Sequence, residues 1–215
     1  MLKVKSFCFN PFQENTYIVY NDNNECMIID PGMYDAHEEM ELDGFIRDNF
    51  LTPVHLINTH CHIDHILGLR YCADQYKLPF QCHHNELPVL ANRRGAAMLY
   101  NLHLNEPPAP DHYIHEGDVI TLGNETMKVL YTPGHSPGSI CFYSEKYGFV
   151  ISGDALFSGS IGRTDLPGGD YHTLIAAIKS QLLTLPEETV VYSGHGPATT
   201  VGREKMYNPY LAEKA

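Results

Sequence analysis

The segment Thr59-His60-Cys61-His62-Ile63-Asp64-His65 decides how this sequence is interpreted. It carries three imidazoles and one carboxylate, and these side chains bind zinc through nitrogen or oxygen. The apolar residues just before it predict a buried strand that ends at the cluster. Because alternate side chains of an extended chain share a face, His60 and His62 can bind one ion. Asp64 and His65 must then turn elsewhere, and we predict a second ion beside the first.

Further side chains of metal-binding type stand where apolar, β-branched runs end in a glycine or proline turn. These residues are Asp30, His135, Asp154 and His195. Since strand ends converge along one edge of a sheet, we expect them to meet the first cluster there. Taken alone, each histidine is better explained as a turn residue, and Asp154 as a helix cap or an Asx turn. The joint pattern favours one shared site.

Composition and charge restrict the function. The chain has 215 residues, of which 43% are hydrophobic and 19% charged, and this predicts one compact domain over residues 1–215. The net charge is -12, with 14 basic against 26 acidic residues. A broad basic face for nucleic acid is therefore not expected.

The cysteines and the N-terminus predict a cytoplasmic protein. The six cysteines are scattered without a CxxC pair, and we expect them to be reduced. Residues 1–7 lack the long apolar stretch of a signal peptide, and no run approaches the length of a membrane span. We therefore expect no membrane partner, and the sequence leaves the oligomeric state open.

Periodicity predicts an alternation of strands and helices. Strands are predicted at residues 4–9, 16–20, 26–30, 54–58, 80–83, 119–122, 126–131, 139–144, 147–152 and 190–193. Helices are predicted at 36–50, 65–76 and 171–185, and a tail at 204–215. Residues 85–111 predict a helical excursion, which either forms one wall of a substrate cleft or is a simple connection.

The metal motif and the later ligands resemble the metallo-β-lactamase superfamily. The shared residues are THxHxDH at 59–65 with His135, Asp154 and His195. Segments 153–165 (GDALFSGSIGRTD) and 193–202 (SGHGPATTVG) resemble the glyoxalase II-like branch, which contains hydroxyacylglutathione hydrolases. The resemblance covers nearly the whole chain. It implies an α/β fold, namely a four-layer αββα sandwich.

The resemblance also implies a ligand set and a reaction. His60, His62 and His135 would hold the first ion, Asp64, His65 and His195 the second, and Asp154 would bridge them. Asp64 and Asp154 are the implied catalytic carboxylates. The two divalent ions are expected to be Zn²⁺, with iron as the other candidate. The implied reaction is hydrolysis of a small-molecule thioester, such as S-lactoylglutathione, by a hydroxide that bridges the ions.

Several supporting roles follow from the residues around these ligands. A metal-bound histidine usually donates its free N–H to a carboxylate or carbonyl, and Asp30 or Asp165 is expected to accept it. Arg163 is expected to neutralise Asp165, and Thr59 to support the ligands beside it. Cys61 lies between two ligand histidines and should point the other way, as a packing thiol.

Two other functions remain open at this stage. A persulfide dioxygenase-like enzyme of the same fold would use one iron held by His60, His135 and Asp154. A binding module without activity would be expected to lose ligands, and this sequence keeps them. Full-length glyoxalase II enzymes also have a C-terminal helical domain that contacts glutathione, whereas this sequence continues for about twenty residues after His195. Thiol recognition is therefore expected to be local or directed at another thiol. An exported β-lactamase is expected to carry a leader peptide, and because none is predicted here, that function is disfavoured.

Overall fold

Two six-stranded sheets form the centre of the protein, as the computed structural model describes it for residues 1–211. The first sheet consists, in spatial order, of β1 (Lys3–Phe9), β2 (Glu14–Tyr20), β3 (Glu25–Ile29), β4 (Thr52–Ile57), β5 (Phe80–Cys82) and β6 (His112–Tyr113). Its first three strands are antiparallel, and β3 to β6 are parallel.

The second sheet has the spatial order β14-β13-β10-β9-β8-β7. Its strands are β7 (Val119–Leu122), β8 (Glu125–Tyr131), β9 (Ile140–Ser144), β10 (Phe149–Gly153), β13 (Val190–Ser193) and β14 (Thr199–Thr200). A separate small hairpin pairs β11 (Leu156–Phe157) with β12 (Ser160–Ile161). Strands β10 and β13 are parallel, and β8 runs the same way because two antiparallel pairings separate it from β10.

Helices cover the outer faces of both sheets. They are α1 (Ala36–Asp48), α2 (Leu69–Tyr76), α3 (Leu87–Ala91), α4 (Arg93–Leu99), α5 (Tyr171–Ala177) and α6 (Val201–Tyr207). In β2, Ile18 belongs to a core with Leu42 of α1, while the adjacent Val19 belongs to a core shared with the second sheet. Successive strand side chains point to opposite faces, so one strand supplies two cores.

The second sheet repeats this arrangement. Val129 packs in the core between the sheets, and Leu130 in an outer core with Leu174 of α5. The molecule therefore has the layers helix, sheet, sheet, helix, which confirms the predicted four-layer αββα sandwich. That residues 1–215 form one domain stays a prediction, since residues 212–215 lie outside the described part.

Three predicted elements differ from the structure. The helix predicted from His65 begins at Leu69, and Ile63–His65 form a 3₁₀ turn. The N–H of Gly68 donates to the carbonyl of Pro31 at 2.8 Å, which holds this turn on the first sheet. The helix predicted at 171–185 changes to π-type hydrogen bonding over Ile178–Leu182. The predicted tail begins inside α6 instead of after the last element.

No helix within residues 1–211 is both long enough and apolar enough to cross a bilayer.

Candidate metal centre

The carboxyl ends of β4, β8, β10 and β13 bring the predicted ligands to one edge of the sandwich. The loop after β4 carries the histidine motif of residues 60–65, and the loop after β8 carries His135. Asp154 follows β10, and His195 follows β13. In the second sheet β8, β10 and β13 run in the same direction, so their ligand-bearing loops leave the same edge. The loop after β4 of the first sheet meets them there.

Three imidazoles form the first group. His60, His62 and His135 have ligand nitrogens within 4.8 Å of one another. The Nε2 atom of His135 lies 3.2 Å from Nε2 of His60 and 2.8 Å from Nδ1 of His62. Three nitrogens that point at the same small volume are a donor set suited to one divalent cation.

Asp64, His65 and His195 form the second group, again with ligand atoms within 4.8 Å of one another. The Nε2 atom of His195 lies 3.1 Å from Oδ2 of Asp64, and Nε2 of His65 lies 3.8 Å from the same oxygen. Nitrogen and carboxylate oxygen together suit zinc or iron. Each group takes ligands from both sheets, since His135 and His195 follow strands of the second sheet.

Asp154 lies between the two groups. Its Oδ2 atom is 3.4 Å from Nε2 of His135 and 3.5 Å from Nε2 of His195. Its Oδ1 atom is 3.4 Å from Nε2 of His65. Both Oδ1 of Asp154 and Nε2 of His65 are buried without a hydrogen-bond partner among residues 1–211. Such unpaired buried atoms are costly unless a ligand pairs with them, so the donor set fits bound cations.

Four of the imidazoles have an oxygen atom behind the ring, close to Nδ1. Nδ1 of His135 lies 2.7 Å from the carbonyl of Arg163, and Nδ1 of His195 lies 3.1 Å from the carbonyl of Phe12. Nδ1 of His65 faces Asp30, and Nδ1 of His60 faces the hydroxyl of Thr59. Partners at Nδ1 leave Nε2 as the atom turned to the cluster, which is how ligand histidines are oriented in metal sites.

The two groups differ in charge. Burial lowers the pKa of His60 well below its usual value, and neighbouring imidazoles lower it further. Burial likewise lowers the pKa of His62 to about 3 and lowers the pKa of His135. The first group therefore consists of neutral imidazoles, which are ready to donate lone pairs.

In the second group, the pKa values of the histidines are raised instead of lowered. Burial by itself would lower the pKa of His65, but Asp64 and Asp154 outweigh it and raise this pKa well above its usual value. Burial by itself would also lower the pKa of His195, but the bond to Asp64 and the charge of Asp154 together outweigh it and raise this pKa. His65 in turn lowers the pKa of Asp154 against the effect of burial. The two carboxylates therefore favour the protonated forms of His65 and His195.

The predicted supporting residues divide into two sets. Asp30 is fully buried and lies against the ligands. Its Oδ1 atom accepts the N–H of Thr59 at 2.6 Å, and its Oδ2 atom accepts the Thr59 hydroxyl at 2.6 Å. Asp165 is exposed, and both of its oxygens pair with Arg163 at 2.7 Å. The acceptor for His135 is the Arg163 carbonyl rather than the carboxylate of Asp165.

The sequence did not predict that two buried glutamates lie beside the metal-binding residues. Glu86, at the start of the helical excursion, accepts hydrogen bonds from the N–H of Cys61 at 2.7 Å and of Gly138 at 2.6 Å. Its Oε1 atom also accepts the Ser136 hydroxyl at 2.5 Å. Glu14 is buried behind His65, with Oε1 at 3.7 Å from Nδ1, and burial raises the pKa of Glu14. Neither residue stands in a recognisable motif, so its place depends on the fold.

Glycine allows the backbone to approach the ligands closely. A Cβ atom on Gly194 would lie 2.1 Å from Oδ1 of Asp154 and 2.9 Å from Cε1 of His65. One on Gly162 would lie 2.0 Å from the carbonyl of Asp154. Atoms cannot pack at these distances, so both positions require the smallest residue for steric reasons.

A cavity of about 910 Å³ opens above the cluster. His62, Asp64, His135, Asp154 and His195 lie on its floor. The helical excursion of residues 85–111 supplies one of its walls, including Val89, Ala96 and Leu99. The excursion therefore forms a wall of this cavity, and that the cavity is the substrate cleft stays a prediction.

The sequence profile of the metallo-beta-lactamase superfamily matches residues 9–195. The chain belongs to this superfamily. The Bacillus subtilis (strain 168) protein named probable metallo-hydrolase YqgX is 41% identical over 212 residues, with 98% of each chain covered. The hydroxyacylglutathione hydrolase GloC of Haemophilus influenzae is 35% identical over 214 residues, with 95% of each covered. The chain is thus a metallo-hydrolase of the metallo-beta-lactamase superfamily, with His/Asp clusters able to bind metal.

Solved structures of the metallo-beta-lactamase superfamily agree with this assignment. BLEG-1, described as a B3 metallo-beta-lactamase, matches with a TM-score of 0.90 and 40% identity over 98% of this chain and 100% of that one. TTHA1623 in a di-iron-bound form matches with a TM-score of 0.86 and 38% identity over 96% of this chain and 100% of that one. These neighbours confirm the predicted fold.

Proposed function

We propose that this metallo-hydrolase cleaves thioesters, such as S-lactoylglutathione, at a site that holds two divalent ions. The observation that carries the proposal is the position of Asp154, whose carboxylate lies within 3.5 Å of ligand nitrogens from both groups. A carboxylate shared in this way offsets the repulsion between two neighbouring cations. The name of the Haemophilus influenzae relative supports the thioester as substrate.

Bound divalent ions would lower the pKa of water to about 7 and polarise the carbonyl group that is attacked. The residues of this chain supply the hydrogen-bond acceptors for that water. Burial by itself would raise the pKa values of Asp64 and Asp154, but His65, His195 and the neighbouring imidazoles together outweigh it, so both pKa values are lowered. Both carboxylates are therefore ionised at neutral pH and can accept hydrogen bonds from water on the cavity floor. Both line the cavity, where a substrate carbonyl would enter.

Thioester chemistry also fits what the cavity lacks. Within residues 1–211, the lining contains no lysine, its only tyrosine is Tyr100, and its only carboxylic acids are Asp64 and Asp154. A thiolate leaves without prior protonation, since an ordinary thiol has a pKa of about 8.5. Cleavage of a thioester therefore needs no strong general acid beside the metal ligands.

The identity of the ions follows from the donors only in part. We propose Zn²⁺, because the seven ligands are imidazoles and carboxylates, and iron is the alternative that the di-iron-bound neighbour illustrates. A mononuclear iron dioxygenase would use His60, His135 and Asp154, which are also adjacent here. Metal analysis separates the two: zinc without oxygen uptake supports the hydrolase, and one iron with oxygen uptake supports the dioxygenase.

The deciding experiment compares protein loaded with zinc against free zinc. We expect S-lactoylglutathione to be hydrolysed far faster by the protein, and His135→Ala to abolish this activity without unfolding the chain. His172→Ala is a matched control, because His172 is exposed on α5 and belongs to neither metal-binding group. A chromogenic β-lactam run in parallel tests the activity named for BLEG-1. Thioester turnover no better than free zinc would refute the proposal. Action on a small molecule in the cytoplasm stays a prediction.

A further inference from the structure

The cavity above the metal ligands has walls that the hydrolytic chemistry does not use. On one side, α3 and α4 present Val89, Ala96 and Leu99. Phe157 of the small hairpin and Leu166 also line the cavity. Apolar walls with a few polar groups on the floor are typical of pockets that bind the apolar part of a ligand. The walls therefore indicate which kind of substrate the cavity can bind.

The cations near these walls are already paired. The lining contributed by residues 1–211 contains Arg93 and Arg163 and no lysine. The guanidinium of Arg93 contacts the carboxylate of Glu106 and donates to the carbonyl of Leu90 at 2.6 Å. Arg163 forms a two-bonded pair with Asp165, at 2.7 Å for each bond. Each guanidinium therefore already faces a carboxylate, which weakens its attraction for an anionic substrate arm.

The remaining charge of the chain does not favour an anionic arm. Asp64 and Asp154 lie on the cavity floor, where bound divalent ions would offset their charges, and the whole chain has a net charge of -12. Glutathione carries more carboxylate than ammonium groups, so this net charge gives its outer part no long-range attraction to the cavity. An uncharged chain would instead exchange water for contact with the apolar walls.

We infer that the cavity binds thioesters whose arms are uncharged and apolar in preference to thioesters with the anionic arm of glutathione. This inference rests on the proposed thioester hydrolysis for its catalytic consequence, but the binding preference can be measured separately. The volume of about 910 Å³ lies within the range of cavities that enclose a ligand of drug size. A thioester of an acyl chain and a short neutral thiol is a ligand of that size.

The first experiment measures binding without chemistry. The probes are two thioethers, S-hexylglutathione and S-hexyl-N-acetylcysteamine, which share the apolar chain and differ in the charge of the thiol part. Calorimetric titration is done on the zinc-loaded protein and again after chelation. We expect the neutral thioether to bind at least several-fold more tightly in both states. Tighter binding of the glutathione thioether would overturn the inference.

The second experiment measures turnover of acetyl, butyryl and hexanoyl thioesters of N-acetylcysteamine. A fully buried methylene group is worth about fourfold in affinity, so kcat/KM should rise by up to about this factor for each added methylene. A series without dependence on chain length would overturn the inference. If no thioester is hydrolysed and the neutral thioether still binds more tightly, the proposed function fails while the binding preference stands.

A pair of variants on α4 locates the binding wall. Leu99 lines the cavity and is 75% exposed, and the adjacent Met98 is 83% exposed and lies outside the lining. Leu99→Asp and Met98→Asp therefore add the same charge at the same exposed helix end. We expect Leu99→Asp to lower hexanoyl kcat/KM by about tenfold or more and to weaken thioether binding, with little change for Met98→Asp. Equal effects of the two variants would contradict a role for this wall.

Discussion

The Oδ2 atom of Asp30 lies 3.1 Å from Nδ1 of His65, and both side chains are buried. This contact fixes the ring so that Nε2 faces Asp64 and Asp154. Asp30→Asn should weaken metal binding by about 10- to 100-fold, because partners behind a ligand histidine set its orientation and basicity. Competition with a chelator measures the change. Asp48→Asn is the control, since Asp48 is an exposed residue that pairs with Arg47.

Glu86 links the loops that carry ligands. Glu86→Gln replaces one acceptor oxygen by an NH₂ group, which would face either the N–H of Cys61 or the two donors Ser136 and Gly138. We expect unfolding free energy to fall by about 2–4 kcal/mol and metal affinity to fall with it. Ser136→Ala removes one donor and should cost about 1 kcal/mol. Denaturant titration with and without zinc measures both, and a Gln variant as stable as the parent would contradict the linking role.

Proton release should distinguish the two metal-binding groups. The lowered pKa values of His60, His62 and His135 favour imidazoles without a proton to displace, whereas the raised pKa values of His65 and His195 favour their protonated forms. A metal at the second group must expel these protons, so its affinity falls as the pH falls through the raised pKa values. Between about pH 8 and about pH 6, the second equivalent of zinc should weaken more than the first. Calorimetric titration in buffers of different ionisation enthalpy counts the protons, and equal weakening would refute this order.

Gly194→Ala tests how closely the backbone approaches the shared carboxylate. The added methyl group would lie 2.1 Å from Oδ1 of Asp154 and must push this side chain away from the cluster. We expect a loss of about 1–3 kcal/mol in stability and a lower zinc content after purification. Gly44→Ala is the matched control: the nearest atom to its methyl group is 3.7 Å away on Arg47, and alanine is favoured inside α1. A Gly194→Ala protein with full zinc content would show that the carboxylate position is not required.

Local pattern explains which features the sequence could predict. The motif at 59–65 and the apolar runs before His135, Asp154 and His195 are short-range signals, and the structure brings these side chains together. The four-layer fold followed from the resemblance. The predicted start of α2 at His65 was wrong. Helical periodicity does not show the turn that the Gly68–Pro31 hydrogen bond fixes before Leu69.

Long-range contacts explain what the sequence could not predict. Glu86 and Cys61 are 25 residues apart, and a buried glutamate looks like any other acidic residue until the fold is known. The Arg163 carbonyl that faces His135 is a backbone group, so side-chain identity gives no signal for it. An acidic side chain nearby, Asp165, was the natural candidate for that role and lies exposed beside Arg163.

Both metal-binding groups combine histidine-motif residues from the first sheet with one histidine from the second. A chain divided between β6 and β7 would leave each fragment with an incomplete set of donors. Metal capture by a mixture of the fragments would then report that the halves had reassembled, and the protein would serve as a split sensor whose output is a bound ion.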